Sequence, residues 1–261
     1  MALFSETRII IKSKSELDIM RKGGRFLADI LTVLKNTVHP GMSTWDLEMM
    51  ARKMLRERNL RGSFLGYRGF PAVLCTSINE EVVHGIPSKK RILKTGDLLK
   101  IDMGVFYRGF HVDSALTIPI GEVDALSEKL IETGRNSLEA SINMCRKGKR
   151  LGDVCYAVQE VAESAGFSVV TEYTGHGVGR QLHESPQIPN VGKAGTGVRL
   201  RNGMVFALEP MLNAGLSNTR VLSDSWTVVT ADGKRSSHCE HTVAVTKDGP
   251  EVLTRREDED V

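Results

Sequence analysis

Short segments of this chain recur at one fixed offset, and this internal repeat constrains the fold more than any other sequence feature. Segment 41–47 recurs as segment 148–154, and both place a glycine five residues before an aspartate that an aliphatic residue follows. Segment 93–102 recurs as segment 200–209, and each copy ends on an acidic residue. Both matches are displaced by 107 positions. Two matches at one offset favour two related halves over coincidence among short segments that contain glycine and leucine.

A third match adds a second acidic residue to each half. Residues 111–113, His-Val-Asp, have a counterpart in residues 238–240, His-Cys-Glu, which is displaced by a further 20 positions. The inserted residues lie between Glu209 and Glu240 and include Trp226. Halves related by an approximate two-fold axis would bring the four strands that carry these acids together.

The pattern of apolar and helix-capping residues predicts a domain of the α/β class. Ser13 and Glu16 have the spacing of a capping box, and the helix that they start has Gly23-Gly24 as a weak point and ends before Pro40. Further helices are predicted at 43–58, 124–146 and 151–165, and strands at 73–84, 98–106, 110–120, 168–173, 204–212, 225–230 and 238–246. We expect a single domain over residues 1–261, with a pseudo-repeat at roughly 13–122 and 123–250 and a charged tail at 251–261 that is frayed from Arg255 onward.

Composition narrows the class of protein. The net charge of +3 is too small to indicate DNA binding, and the basic clusters at 89–94 and 146–150 are typical of solvated surfaces. The four cysteines show no paired spacing, which fits a reducing compartment. The first six residues have no apolar segment of the secretory kind, and no apolar run approaches the ~18 residues of a membrane span. We therefore expect a cytoplasmic protein that does not bind membranes.

Two aspartates lie in apolar strands that a short turn connects. A hairpin centred between positions 107 and 108 would place Asp102 and Asp113 opposite each other, with Cβ atoms ~5 Å apart. Two ionised carboxylates this close repel each other strongly unless a shared proton or a metal ion neutralises them. Glu209 and Glu240 have similar apolar surroundings, and four acids exceed what a shared proton can neutralise.

Bound cations would neutralise all four acids, and one histidine completes the set of candidate ligands. His176 is flanked by glycines that let the backbone approach a metal closely. Oxygen-rich ligation with one imidazole suits Mn, Fe(II) or Co(II), and Zn is a further candidate. Two ions ~3.5–4 Å apart can hold a hydroxide between them, as in metal-dependent hydrolysis. The alternative is that the acids form structural ion pairs, but few basic residues are interleaved with them to serve as partners.

The chain resembles the type I methionine aminopeptidases, short bacterial members of the pita-bread metallopeptidases, over nearly its whole length. The motifs that carry the resemblance are 77–87 (SINEEVVHGIP), 100–104 (KIDMG), 113–115 (DSA), 174–179 (TGHGVG), 182–186 (LHESP), 208–211 (LEPM) and 240–242 (EHT). The resemblance implies a pita-bread fold and the removal of an N-terminal methionine when the second residue is small. A metal-bridged hydroxide would attack the scissile carbonyl.

The resemblance also implies a role for each site residue. Asp102 would chelate one metal, and Asp113 and Glu240 would bridge both metals. His176 and Glu209 would complete the shell of the second metal, and Glu209 would also shuttle protons. In the remaining catalytic roles, His183 would stabilise the developing oxyanion and His84 would contact the scissile region of the substrate. The other histidines near these motifs, His111, His238 and His241, we assign to structural or ligand-supporting roles.

The methionine pocket implied by the resemblance is apolar. It would be formed by Tyr67, Phe70, Cys75 and Trp226, and the alternative for Tyr67 and Phe70 is an ordinary core position. Two positions depart from the family pattern and would reshape the pocket: Phe64 stands where bacterial relatives often have cysteine, and Leu182 where phenylalanine is common.

Two weaker implications concern ions and partners. Asn79 and Ser236 match positions that bind a monovalent cation, Na or K, in relatives. The partners would be nascent chains, with a transient ribosome contact through Lys89-Lys90-Arg91, and the protein would be a monomer. Two alternatives remain: a prolidase or aminopeptidase P, which usually carries an additional N-terminal domain, and a binding module that has lost its metal ligands.

Overall fold

The computed structural model describes residues 9–259, so the N-terminal segment 1–6 and the last two residues of the predicted tail lie outside the described residues. Within this range the helices are α1 (Lys14–Thr37), α2 (Thr44–Glu57), α3 (Ala125–Met144) and α4 (Leu151–Ser164). All four predicted helices are therefore confirmed to within two residues at each end. None of these helices combines the length and the apolar character that crossing a bilayer requires.

Helix α1 begins where the capping-box pattern predicts. The Ser13 side chain accepts a hydrogen bond from the backbone N–H of Glu16, and the Glu16 side chain accepts one from the backbone N–H of Ser13. The predicted weak point is part of a continuous helix. A Cβ atom on Gly24 would lie 2.0 Å from the carbonyl oxygen of Leu253. Glycine is therefore required here because the C-terminal segment packs directly against the helix backbone.

The strands, in chain order, are β1 (Arg61–Gly62), β2 (Leu74–Ile78), β3 (Glu81–Val83), β4 (Leu98–Tyr107), β5 (Phe110–Pro119), β6 (Ser168–Val169), β7 (Gly175–Gly177), β8 (Glu184–Ile188), β9 (Val205–Leu208), β10 (Met211–Asn213), β11 (Thr219–Val221), β12 (Val228–Thr230), β13 (Ser236–His238), β14 (Glu240–Thr246) and β15 (Gly249–Val252). The main sheet has the order β1-β4-β5-β14-β9-β7-β8, with β2 on β4 and β15 on β14. Two smaller sheets have the orders β13-β10-β6 and β11-β12-β3.

The main sheet joins strands from both parts of the repeat. The hairpin β4–β5 meets the pair β9–β14 where β5 and β14 lie side by side, with Glu240 opposite Ala115. Helix α1 packs against β4 and β5, and α3 packs against α4 on the other half. The apolar cores follow this division, with α1 and α2 contributing to one cluster and α3 and α4 to another.

The predicted register of the β4–β5 hairpin is wrong by two residues. Its centre lies between Arg108 and Gly109, so Asp102 is opposite Ala115 and Asp113 is opposite Gly104. Both central residues have positive φ, 47° and 91°, as a two-residue hairpin turn requires. Asp102 and Asp113 are therefore diagonal neighbours, and because side chains alternate with a period of two, both project from the same face.

The C-terminal tail also differs from the prediction. Arg256 is buried and donates a hydrogen bond from Nη1 to the Ser114 hydroxyl at 3.1 Å. Residues Glu257–Glu259 form a short 3-10 helix, and Glu259 pairs with both Arg256 and His241. Fraying was predicted because the tail is charged, but its charges neutralise each other against the sheet. The described part of the tail is thus packed.

Candidate metal centre

All of the predicted catalytic, metal-binding and methionine-pocket residues line one cavity of about 160 Å³. The lining residues are Phe64, Tyr67, Arg68, Phe70, Cys75, His84, Asp102, Asp113, His176, Leu182, His183, Glu209, Trp226 and Glu240. Polar and titratable side chains occupy one part of this wall, and a cluster of apolar side chains forms another.

Strands of the main sheet position the five candidate ligands. Asp102 lies within β4 and Asp113 within β5, whereas Glu240 is the first residue of β14 and Glu209 directly follows β9. His176 is the central residue of β7, where it lies opposite Ala207 of β9. The sheet register thus brings side chains that are distant in sequence to one place.

The ligand atoms of three of these residues are close enough to share an ion. One oxygen of Asp113, one nitrogen of His176 and one oxygen of Glu240 all lie within 4.8 Å of one another. The Nε2 atom of His176 lies 3.5 Å from Oε1 of Glu209. The Nδ1 atom of His176 lies 2.9 Å from the carbonyl oxygen of Gly177, so an Nδ1–H would donate there and leave Nε2 free to bind a metal.

Burial makes the charges of the four acids costly. It raises the pKa of Asp113 to about 7. Burial, followed by the neighbouring carboxylates, also raises the pKa values of Asp102, Glu209 and Glu240 well above their usual range. Among the ion pairs of residues 9–259, none joins any of these acids to a lysine or an arginine. Structural ion pairs therefore do not explain the cluster.

Two carboxylate oxygens without hydrogen-bond partners indicate that a cation fits this site. The Oδ1 atom of Asp102 and the Oε1 atom of Glu240 are buried and have no hydrogen-bond partner within the described chain. Unpartnered buried carboxylate oxygens require compensation, and a bound divalent cation would supply it. A set of carboxylate oxygens with one imidazole nitrogen also matches the preferences of Mn, Fe(II), Co(II) and Zn. The residues present therefore fit a divalent metal.

Two further histidines face the cavity beside the acids. The ring of His183 lies 4.1 Å from that of His176, between centroids, and stacks on Tyr67 at 5.2 Å. His84 has a positive φ of 62° and meets the Trp226 ring edge-on at 6.3 Å. Burial lowers the pKa values of His84 and His183 to about 4. Both imidazoles are thus neutral at pH 7, and each can donate one hydrogen bond without carrying a charge.

The apolar wall contains the predicted pocket residues and both positions that depart from the family pattern. A buried cluster contains Phe64, Phe70, Cys75 and Leu182, and Tyr67 and Trp226 pack against it. The ring of Phe70 meets that of Trp226 edge-on, with 5.0 Å between centroids. Cys75 is placed here because β2 sets it opposite Asp102 of β4. An apolar recess therefore adjoins the carboxylates.

Sequence reasoning missed one residue of the cavity wall and did not foresee one contact behind it. Arg68 has a left-handed φ of 50°, and its charge adds to the burial that lowers the pKa of His183. Gly66 and Gly69 around it predict a turn but not the direction of the guanidinium. His238 approaches Glu209 to 3.7 Å, a contact between distant segments that no local motif predicts.

The two residues predicted to bind a monovalent cation lie outside this cavity. The backbone carbonyl oxygens of Asn79 and Ser236 both accept hydrogen bonds from the Nζ atom of Lys100, at 2.7 Å and 3.2 Å.

Comparison with known proteins places these observations in a family. The model of metallopeptidase family M24 matches residues 18–247. The chain is 46% identical over 247 residues to methionine aminopeptidase 1 of Bacillus subtilis, which covers 95% of this chain and 99% of that protein. It is 44% identical over 246 residues to a methionine aminopeptidase of Clostridium acetobutylicum, covering 94% and 98% of the two chains.

Solved structures extend the comparison to the fold. The crystal structure of a methionine aminopeptidase from Thermotoga maritima superposes with a TM-score of 0.94 at 44% identity, and the match covers 95% of this chain and 100% of that chain. A prolidase from Pyrococcus furiosus superposes with a TM-score of 0.77 at 20% identity, over 95% of this chain and 66% of that one, and supports the fold alone. The predicted pita-bread fold is confirmed.

Proposed function

The chain belongs to metallopeptidase family M24, and from this membership we propose that it is a methionine aminopeptidase, which removes the N-terminal methionine of peptides and nascent proteins when the second residue is small. One observation carries the proposal. Two buried acids, two half-buried acids and one buried histidine, drawn from both halves of the repeat, face one cavity beside an apolar recess. Relatives 44–46% identical over almost the whole chain are named methionine aminopeptidases.

Two divalent cations, of Co, Mn, Fe(II) or Zn, would be held by the five ligand side chains. The assignment is Asp102, Asp113, His176, Glu209 and Glu240. When bound, such ions lower the pKa of water and polarise a carbonyl group, which is the chemistry of metal-assisted peptide hydrolysis. The unpartnered oxygens of Asp102 and Glu240 support this assignment.

The side chains of the protein supply the proton transfers and the substrate contacts. Glu209 has a raised pKa and can hold a proton on its carboxyl group, then deliver it to the amino group that leaves. His183 donates a hydrogen bond to the oxygen on which negative charge develops, and His84 contacts the scissile region of the substrate. Both imidazoles are neutral at pH 7, so they serve as hydrogen-bond donors.

The apolar recess selects the methionine side chain. Phe70, Cys75, Trp226 and Tyr67 surround a space in which a thioether makes favourable contacts with aromatic rings and sulfur. Phe64 and Leu182 belong to the same cluster and keep it apolar, so the two departures from the family pattern preserve the chemistry of the pocket.

The cellular setting follows from the substrate. A nascent chain is met in the cytoplasm, and the four free cysteines, all buried, suit a reducing compartment. We expect a monomer that contacts the ribosome transiently through Lys89 and Lys90, which are exposed, whereas Arg91 pairs with Glu81 at 2.5 Å. Co-sedimentation that disappears with added salt would support this contact, and salt-independent co-sedimentation would contradict it.

A peptide assay on metal-free protein tests the proposal. Met-Ala-Ser and an Xaa-Pro dipeptide are offered to protein titrated with Mn, Co, Fe(II) or Zn. We expect release of methionine from Met-Ala-Ser that depends on metal, and no cleavage of the Xaa-Pro peptide. Cleavage of Xaa-Pro alone would identify a prolidase, and a protein that neither binds metal nor cleaves either peptide would identify a binding module.

A further inference from the structure

Lys100 is a buried lysine without an acidic partner. It lies in β4, two residues before Asp102, and is 1% exposed. It takes part in none of the ion pairs found among residues 9–259. Glu81, the acid whose charge acts most strongly on Lys100, is already engaged at both oxygens, by Arg91 at 2.5 Å and by the backbone N–H of Ile78 at 2.7 Å. Another set of acceptors must therefore compensate the burial of this amine.

Backbone carbonyl oxygens are those acceptors. The Nζ atom of Lys100 donates to the oxygen of Asn79 at 2.7 Å and to that of Ser236 at 3.2 Å. Asn79 forms the turn between β2 and β3, and Ser236 is the first residue of β13. The same Asn79 oxygen also accepts a hydrogen bond from the backbone N–H of Ser236 at 3.0 Å. A single amine thus joins three segments that are distant in sequence.

The conformation of the Asn79 turn directs its carbonyl oxygen to this amine. Asn79 has a positive φ of 52°, and its side chain is held from both ends. The amide nitrogen donates to Asp97 at 2.8 Å, and the amide oxygen accepts from the backbone N–H of Leu98 at 2.9 Å. The oxygen that faces Lys100 is therefore fixed by the fold and does not depend on the lysine alone.

These are the two residues that the sequence resemblance assigns to a monovalent cation. An amine at hydrogen-bond distance occupies the oxygens that such an ion would need, and in its protonated form it also repels a second positive charge placed against them. The residues present therefore do not fit a bound Na⁺ or K⁺.

We propose that the amine of Lys100 takes the place of a monovalent cation and joins the segments that lead into the active site. The three joined segments lead directly into the cavity: β4 continues to Asp102, the residue after β3 is His84, and β13 continues to Glu240. The protein accordingly holds this arrangement without Na⁺ or K⁺.

Thermal unfolding of the metal-free protein tests this proposal without reference to catalysis. The melting temperature is measured at constant ionic strength in NaCl, KCl and N-methyl-D-glucamine chloride, whose cation is too large for the site. We expect the same melting temperature for the wild-type protein in all three salts. A wild-type protein that Na⁺ or K⁺ stabilises by about 2 °C or more over N-methyl-D-glucamine would overturn the proposal.

Removal of the lysine provides the second arm. In Lys100→Ala the freed carbonyl oxygens can accept an ion, so we expect a melting temperature that rises with the concentration of KCl or NaCl relative to N-methyl-D-glucamine chloride. Lys100→Gln, which retains one donor group and most of the length, is measured in the same salts if the alanine variant does not fold in any of them. A folded variant that is indifferent to the three salts would contradict the proposal.

Lys12 supplies the matched control. It is the other buried lysine of the described residues, but its Nζ atom pairs with Glu184 at 2.6 Å. Lys12→Ala should lose stability equally in all three salts, because the Glu184 carboxylate left behind does not offer the pair of carbonyl oxygens that Lys100 contacts. A dependence on K⁺ shared by both alanine variants would show a general salt effect and would also overturn the proposal.

Discussion

His238 lies 3.7 Å from Glu209, measured from Nε2 to Oε2, on the side of the carboxylate away from His176. The other oxygen of Glu209, Oε1, lies 3.5 Å from the Nε2 atom of His176. Neither ring nitrogen of His238 has a hydrogen-bond partner in the described part of the chain. Burial lowers the pKa of His238 to about 3, so the ring is neutral and carries one N–H. A small shift would let that N–H donate to Glu209.

We expect His238 to orient Glu209. His238→Ala should lower kcat on Met-Ala-Ser about 10-fold or more, the range seen when partners of metal ligands are removed. His238→Gln should recover part of the loss, because its amide can donate to the same oxygen. His39→Ala, at an exposed position, is the control and should match the wild type. Equal kcat for the alanine and wild-type proteins would refute the role.

Proton release should accompany metal binding. Burial raises the pKa of Asp113 to about 7, so this carboxyl is largely protonated at pH 6.5, and the pKa values of the other three acids are also raised well above their usual range. His176 contributes no proton, because burial lowers its pKa to about 3. Titration calorimetry with Mn²⁺ in two buffers of different ionisation enthalpy should give different apparent enthalpies. Identical enthalpies at pH 6.5 would contradict the prediction.

The same pKa shifts determine whether the stabilisation of the protein by bound metal increases or decreases with pH. A carboxyl whose pKa is raised by folding stabilises the metal-free protein below its unfolded pKa, and this contribution is lost as pH rises through about 7 for Asp113. His84 and His183, whose pKa values burial lowers to about 4, contribute stability that is lost as the pH falls from about 6.5 to 4, and they do so with and without metal. His176 differs, because bound metal holds it neutral. The melting-temperature difference between metal-loaded and metal-free protein should therefore increase from pH 6 to pH 8. A constant or decreasing difference would show that the acids are ionised without metal.

Phe64 should influence substrate binding more than the chemical step. It belongs to the apolar cluster, with its ring 6.5 Å from that of Phe70 between centroids. Phe64→Leu removes apolar contacts that the bound methionine makes in the ground state and the transition state alike, so KM should rise about 3- to 10-fold with kcat little changed. Phe26→Leu, at a half-buried aromatic position on α1 outside the cavity, is the control. A lower kcat with unchanged KM would assign Phe64 to the reacting end of the site.

Two adjacent glycines in α1 should differ in how much alanine destabilises the protein. Gly24→Ala places a Cβ atom 2.0 Å from the carbonyl oxygen of Leu253, and should destabilise the protein by about 1–3 kcal/mol. At Gly23 the nearest atom is the Cβ of Tyr107 at 3.3 Å, so the helix propensity of alanine should offset most of the contact. Chemical denaturation compares the two variants. Equal stability would mean that the C-terminal segment does not pack against α1 as described.

Sequence patterns predicted the parts of this fold that local chemistry determines. The capping residues Ser13 and Glu16 define the start of α1, and all four helices follow from apolar periodicity. Strands β1, β7, β8, β11 and β15 were not predicted. In β7 the reason is that three residues with two glycines have no alternating pattern. The register of the Asp102–Asp113 hairpin was wrong by two residues, yet both acids face the same side because an even shift preserves side-chain direction.

The candidate site was predictable to a similar extent. Its acids stood out as charges in apolar strands, whereas the supporting contacts depend on tertiary structure. The approach of His238 to Glu209 and of Lys100 to Ser236 joins residues far apart in sequence, and no local pattern encodes it. Arg256 was assigned to a frayed tail because its neighbours are charged, whereas it is buried and contacts Ser114, which is itself buried in the sheet.

The central claim is that acids from both halves of the repeat are gathered in one cavity to hold two divalent cations. Anomalous diffraction from a crystal soaked in Mn²⁺ tests this claim most directly. We expect two anomalous peaks, each next to Asp113 and Glu240. One peak should also lie next to Asp102, and the other next to His176 and Glu209. Peaks elsewhere on the protein, with none in this cavity, would contradict the account.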